Sequence, residues 1–240
     1  MTANPILVVQ TGRALAPVRA RLGDFPHWFR VAMGLPRDAF EVVDVQHGAA
    51  LPSPRSRGFK GVIVTGSGAM VTDREPWSER TAAWLLEAHA AKLPILGVCY
   101  GHQLLAHAFG GRVDYHPGGR EMGTHALERL DAARGDALFG DVPARFDAQL
   151  THSQSVLELP AGATLLARSE HDACQAFRIG DRTWGVQFHP EFSTAAMRGY
   201  IAARRDQLMQ ENTCARTLAS DVRAAPHARS ILRRFARLLG

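Results

Sequence analysis

The segment Pro94-Ile95-Leu96-Gly97-Val98-Cys99-Tyr100-Gly101-His102-Gln103-Leu104-Leu105-Ala106 constrains the fold more than any other stretch. Ile95 to Val98 reads as a buried strand, a sharp turn follows, and a helix begins just beyond the cysteine. Cys99 sits at that turn between two glycines, in the pattern Gly97-x-Cys99-x-Gly101. A side chain on a tight strand-to-helix turn is held clear of the packed core, and its neighbours must be small because the backbone crowds itself. The positive end of the following helix and its free N–H groups favour a thiolate and can receive a developing oxyanion. A lone cysteine is more often a small core hydrophobe. Its position here argues for chemistry.

The chain before the elbow alternates strands and helices. Pro5-Ile6-Leu7-Val8-Val9-Gln10, Glu41 to Val45 and Gly61 to Thr65 are apolar runs that suit strands of a parallel sheet. Residues 18–33 read as a helix interrupted by Gly23 and Pro26, and residues 51–57 as a loop. A helix opens near Glu75 with Ser78 as its cap and runs to Lys92, with Ala82, Leu85, Leu86 and His89 as its apolar stripe. The expected architecture is α/β: a flavodoxin-like, mainly parallel open sheet flanked by helices. Ligands on such sheets bind at the carboxyl ends of the strands, where the loop Thr65-Gly66-Ser67-Gly68 and Cys99 both fall.

Past Gly111 the rhythm changes to short alternating runs, at 112–115, 125–130, 149–152, 164–169, 175–179 and 184–188, that predict an antiparallel extension. The last run ends in Gly185-Val186-Gln187-Phe188-His189-Pro190-Glu191. In an extended segment, residues two apart project together, so His189 and Glu191 form a base with its orienting carboxylate. Beyond Thr194 a helix carries Met197, Tyr200, Ile201 and Leu208 on one face. Pro226 precedes a last amphipathic helix with Ile231, Leu232, Phe235, Leu238 and Leu239.

The motif pair Gly97–Gln103 and Gly185–Glu191 resembles the signature of the class I (triad) glutamine amidotransferases, over residues 5–203. The resemblance extends to the amidotransferase domain of GMP synthetases. It implies a glutaminase without metal or organic cofactor, in which Cys99 attacks the glutamine side-chain amide to form a γ-glutamyl thioester. His189 would serve as acid and base and Glu191 as its orienter. Backbone N–H groups of Tyr100, Ser67 and the Gly66–Gly68 loop would hold the oxyanion. Gln103, with His152, Ser153 and Gln154 of Thr151-His152-Ser153-Gln154-Ser155-Val156, matches positions that bind the substrate's glutamine. Thr-Gly-Ser-Gly replaces the Gly-Gly-Pro or Asn-Gly-Pro of many relatives, which loosens the assignment of the oxyanion donor.

The sequence divides into an amidotransferase-like domain, 1–203, and an Arg-rich helical extension, 204–240, packed on it. The absence of a synthetase domain sets three readings side by side. One is an amidotransferase delivering ammonia to a partner synthase; another is a hydrolase of γ-glutamyl peptides or conjugates. The third is a catalytically idle domain that binds a γ-glutamyl metabolite or a partner.

Charge excludes little but locates the excess. Residues 204–240 carry eight arginines against Asp206, Glu211 and Asp221, which accounts for the whole net charge of +5. The first 203 residues are neutral, so no basic stripe marks a nucleic-acid partner. No apolar run is long enough for a membrane span, and a cytoplasmic location is expected. Three scattered cysteines suit a reducing compartment, with Cys174 and Cys214 structural. His116, Glu121 and His125 have no metal-site spacing, and His102 suits packing near the elbow.

Overall fold

The computed structural model describes residues 4–55 and 58–240. Strand β1 (Ile6–Gln10) is buried along its whole length, as its unbroken apolar run requires. Two helices follow, α1 (Ala16–Leu22) and α2 (Phe25–Met33), then β2 (Phe40–Asp44), β3 (Gly61–Val64), α3 (Pro76–Ala90), β4 (Ile95–Val98) and α4 (Tyr100–Ala108). The second half contributes β5 (Arg112–Tyr115), β6 (Glu121–Arg129), β7 (Arg145–His152), β8 (Gln154–Glu158), β9 (Ala163–Arg168), β10 (Ala176–Ile179) and β11 (Thr183–Val186). Helices α5 (Thr194–Ala203), α6 (Arg205–Gln210), α7 (Ala215–Ser220) and α8 (Pro226–Leu238) end the chain.

Nine strands form one sheet in the order β2-β1-β3-β4-β11-β10-β9-β6-β7, and β5 pairs with β8 separately. From β2 to β11 every pairing is parallel; from β11 to β7 every pairing is antiparallel. The predicted parallel sheet with an antiparallel extension is what forms. Side chains alternate across it: Val62, Val64 and Ile95 join the core under α3 and α4, while Ile63, Leu96 and Val98 join the core under α2, α5 and α8. Helix α8 buries Ile231, Leu232 and Phe235 completely and packs on α2 and β7. No helix of the described residues is long and apolar enough to cross a membrane.

Several local expectations are corrected. The segment 18–33 is two helices: Gly23, at φ 83°, ends the first, and Pro26 lies in the first turn of the second, where its missing N–H costs nothing. Ser78 does not cap α3, which starts at Pro76 with Glu75 in the cap position; its hydroxyl instead meets the Tyr100 hydroxyl at 2.6 Å. Leu86 is exposed, and Trp84 and Ala88 take its place in the core. Leu208 is buried as expected but belongs to the separate helix α6. Strand β8 was not foreseen, and of the loop expected at 51–57, residues 56 and 57 lie outside the described residues.

Candidate active site

Strands β4 and β11 are parallel neighbours, with Gly97 opposite Gly185 and Val98 opposite Val186. Their carboxyl ends therefore deliver the residues that follow them to one place. The Cys99 N–H continues the ladder, donating to the Val186 carbonyl at 2.8 Å. Cys99 then turns at φ 53°, ψ −101°, a conformation that L-residues adopt only when the surroundings impose it. The imposition is visible at Gly101, where a Cβ would stand 2.5 Å from the Val64 carbonyl oxygen. Helix α4 starts at the next residue after the sulfur, so its first N–H groups lack intrahelical acceptors.

His189 arrives by a turn rather than along a strand. Strand β11 stops at Val186, and the Phe192 N–H closes back on the His189 carbonyl at 3.2 Å. Pro190 occupies the turn position that its fixed φ favours. The turn brings His189 Nδ1 to 2.7 Å from Glu191 Oε1, so the pair meets across a bend and not along an extended face. Phe192 stacks on the imidazole with ring centres 4.2 Å apart, and Phe25 lies nearly parallel to it at 6.3 Å. Nδ1 is taken by Glu191, which leaves Nε2 for the cavity that His189 shares with Cys99.

Electrostatics follow from that placement. Burial opposes a charge on His189, but the carboxylate of Glu191 and the sulfur of Cys99 outweigh it and push its pKa up to about 10. The imidazole is thus charged at neutral pH, on the cavity it shares with Cys99. Arg229, from α8, donates to the Glu191 main-chain carbonyl at 3.3 Å. His102, behind the elbow, packs against Phe177; burial takes its pKa down to about 4, consistent with a neutral packing residue.

The loop after β3 faces the same point. A Cβ on Gly66 would lie 2.9 Å from His189 Cε1 and 3.7 Å from Cys99 Cβ, so only glycine lets the loop close over the pair. Ser67, Gly68 and Thr151 line a small cavity with Cys99 and His189, and the sulfur is 4.0 Å from the Thr151 carbonyl oxygen. The cavity measures about 30 Å³, space for a water or two and not for a glutamyl chain. Beside Phe25, its lining is completed by Arg13, Leu15, Tyr200 and Arg204. None of those four was singled out in the sequence as a site residue.

The remaining expected residues sit elsewhere. Gln103 Nε2 donates to the Gln154 carbonyl at 2.7 Å and to Gln187 Oε1 at 3.0 Å. Gln154 is tied at both ends of its amide, to the Val71 N–H at 3.1 Å and to the Thr72 hydroxyl. His152 pairs with Glu121 and with the Gln154 carbonyl, each at 3.0 Å. The Ser153 carbonyl accepts the His116 N–H at 2.9 Å. These four side chains do not line the cavity, whereas Thr151, one residue earlier, does.

A family model described as "Glutamine amidotransferase class-I" matches residues 39–205, which hold both the elbow and the His189–Glu191 turn. The chain belongs to the class I glutamine amidotransferases. Relatives of this amidotransferase include the glutamine-hydrolyzing GMP synthase of Thermomicrobium roseum, 38% identical over 162 residues, which cover 68% of this chain and 28% of that one. One of the subunits of the glutamine-hydrolyzing GMP synthase of Methanocaldococcus jannaschii is 38% identical over 139 residues, covering 57% of this chain and 66% of that one. The amidotransferase chain thus matches under two thirds of either relative's length. A solved glutamine amidotransferase of Thermotoga maritima superposes with a TM-score of 0.77 at 23% identity, covering 99% of both chains, and shares the fold.

Proposed function

We propose that this amidotransferase hydrolyses the γ-amide of glutamine through a thioester on Cys99. The observation that carries the reading is the buried His189–Glu191 pair at 2.7 Å, facing a cysteine held at φ 53° on the neighbouring parallel strand. The Cys99 thiolate attacks the amide carbon, and the carbonyl electrons move onto oxygen. N–H groups at Tyr100 and at Ser67 or its loop neighbours receive that oxyanion. Collapse expels ammonia, which takes its proton from charged His189. Neutral His189 then removes a proton from water as the water attacks the thioester. Glutamate leaves and Cys99 is restored.

Glu191 keeps the imidazole in one tautomer and stabilises its charge. Metal and organic cofactors have no part in this scheme. The relatives named as single subunits of a GMP synthase support a separate partner protein that accepts the ammonia.

The test is glutamate and ammonia release from glutamine by the wild type and by Cys99→Ala, with trapping of Cys99 by a glutamine-like electrophile. Release abolished by the substitution supports the reading. A wild type that neither turns over glutamine nor is trapped at Cys99 sinks it and leaves an idle binding domain.

A further inference from the structure

The cavity is lined by Cys99 and His189 and also by two cations, Arg13 and Arg204. Arg13 projects from the loop after β1 and already has an anion, pairing with Asp44 at 2.9 Å. Arg204 follows the last residue of α5 and has none. Its Nη1 donates to the neutral Oε1 of Gln207 at 3.0 Å, and its Nε is buried without an acceptor. Among the described residues no carboxylate forms an ion pair with it; nearby Glu211 is engaged by Arg120 at 3.0 Å. Burial and the like charge of Arg120 lower its pKa from the usual arginine value.

A half-buried guanidinium with an unused donor is costly unless an anion completes it. At the mouth of this cavity the anion has to come from the substrate, and the planar fork of arginine matches a carboxylate through two parallel hydrogen bonds. We propose that Arg204 recognises a carboxylate on the γ-glutamyl substrate, with Arg13 adding to the field from the same lining. The substrates are then γ-glutamyl compounds with an anionic group within reach of the cavity mouth, and neutral γ-amides are discriminated against. That carboxylate belongs either to the glutamyl half or to an amino acid acting as the leaving amine. The inference rests on the proposed thioester chemistry at Cys99.

Three substrates separate the sources: γ-glutamylglycine, γ-glutamylmethylamide and glutaminamide, which lacks the α-carboxylate. Each is assayed with the wild type, Arg204→Gln and Arg204→Lys, with thermal midpoints confirming folding. A charge-assisted carboxylate contact predicts that Arg204→Gln lowers the kcat/KM ratio between a substrate that carries the recognised group and one that lacks it by about 10–100-fold. Arg204→Lys should recover part of that ratio. A fall in the γ-glutamylglycine to γ-glutamylmethylamide ratio assigns the leaving-group carboxylate. A fall only in the ratios of these two to glutaminamide assigns the glutamyl carboxylate. Equal loss on all three substrates, or loss on none, overturns the proposal.

Alkylation of Cys99 judges Arg204 even without turnover. The rate ratio of iodoacetate to iodoacetamide should fall about tenfold in Arg204→Gln, in keeping with the loss of one charge near the sulfur. An unchanged ratio overturns the role of Arg204. Absent turnover with a changed ratio counts against the γ-glutamyl reading alone.

Discussion

Two buried histidine–carboxylate pairs sit in two halves of the same sheet. His189 meets Glu191 at 2.7 Å beyond the parallel strands, and His152 meets Glu121 at 3.0 Å within the antiparallel extension. The second pair is enclosed: Gln175 donates to Glu121 at 2.7 Å, Ser169 at 2.9 Å, and the other ring nitrogen of His152 faces the Gln154 carbonyl. The first pair is left incomplete, with its free imidazole nitrogen aimed at a strained cysteine and a cavity. A buried pair becomes reactive when one nitrogen is left without a structural partner. When both are engaged, the pair binds strands together.

The largest effect expected of that contrast is at the sulfur. Cys99→Ala should lower glutamine hydrolysis by about 10⁴-fold or more, with the fold kept, as for other nucleophiles that act as a unit with their base. Rate assays beside a thermal melt check it. Activity surviving in the mutant would move the chemistry away from the elbow.

Breaking the enclosed pair should do the reverse. Glu121→Ala leaves His152, Gln175 and Ser169 without their shared acceptor, and a cost of about 3–5 kcal/mol in stability follows. Denaturant unfolding measures that cost, and the kcat of the protein that stays folded should remain within a few-fold of wild type. The opposite split, full stability with lost activity, would erase the distinction between the pairs.

Titration separates them next. The bonds and charge of His152 outweigh the burial of Glu121 and lower its pKa, so its contribution to stability is present above the unfolded carboxylate range and is lost as pH falls. His189 has a raised pKa, so its contribution is present below about 6.5 and is lost as pH rises through about 10. Glu191→Gln removes the charge that holds His189 up. It should lower kcat/KM by about 10–100-fold and bring the alkaline limb of the pH–rate profile down, whereas Glu121→Gln should flatten only the acid limb of stability. An alkaline limb that stays in place in Glu191→Gln would detach it from His189. The smallest effect is at Ser169→Ala, which removes the bond to Glu121 and the acceptor of the Asp172 N–H and Gln175 Nε2, at a cost of about 1–3 kcal/mol and no change in kcat.

The half that holds Cys99 and the His189–Glu191 pair was more legible than the rest because its signals are local. A glycine on each side of Cys99 records backbone crowding, and His189 and Glu191 are two residues apart in a stretch that any conformation keeps close. Strand β8 was missed because Gln154–Glu158 follows β7 after the single residue Ser153, so the two strands read as one polar run. Ser78 reads as a cap by residue type, but Pro76 pre-sets the helix start and the Tyr100 hydroxyl claims the serine.

The sequence by itself determined the strand–helix alternation, the elbow and the nearness of His189 to Glu191, since each is encoded within a few consecutive residues. Only the tertiary structure decided that Arg13 and Arg204, 191 positions apart, line one cavity with Cys99. It also decided that Gln103, His152 and Gln154 are spent on internal hydrogen bonds while Thr151 reaches the sulfur. The physical reason is that a residue's partners at long range are set by strand order and helix packing. An arginine in a chain whose cations are nearly all arginine carries no local mark of which one those contacts will leave without an anion.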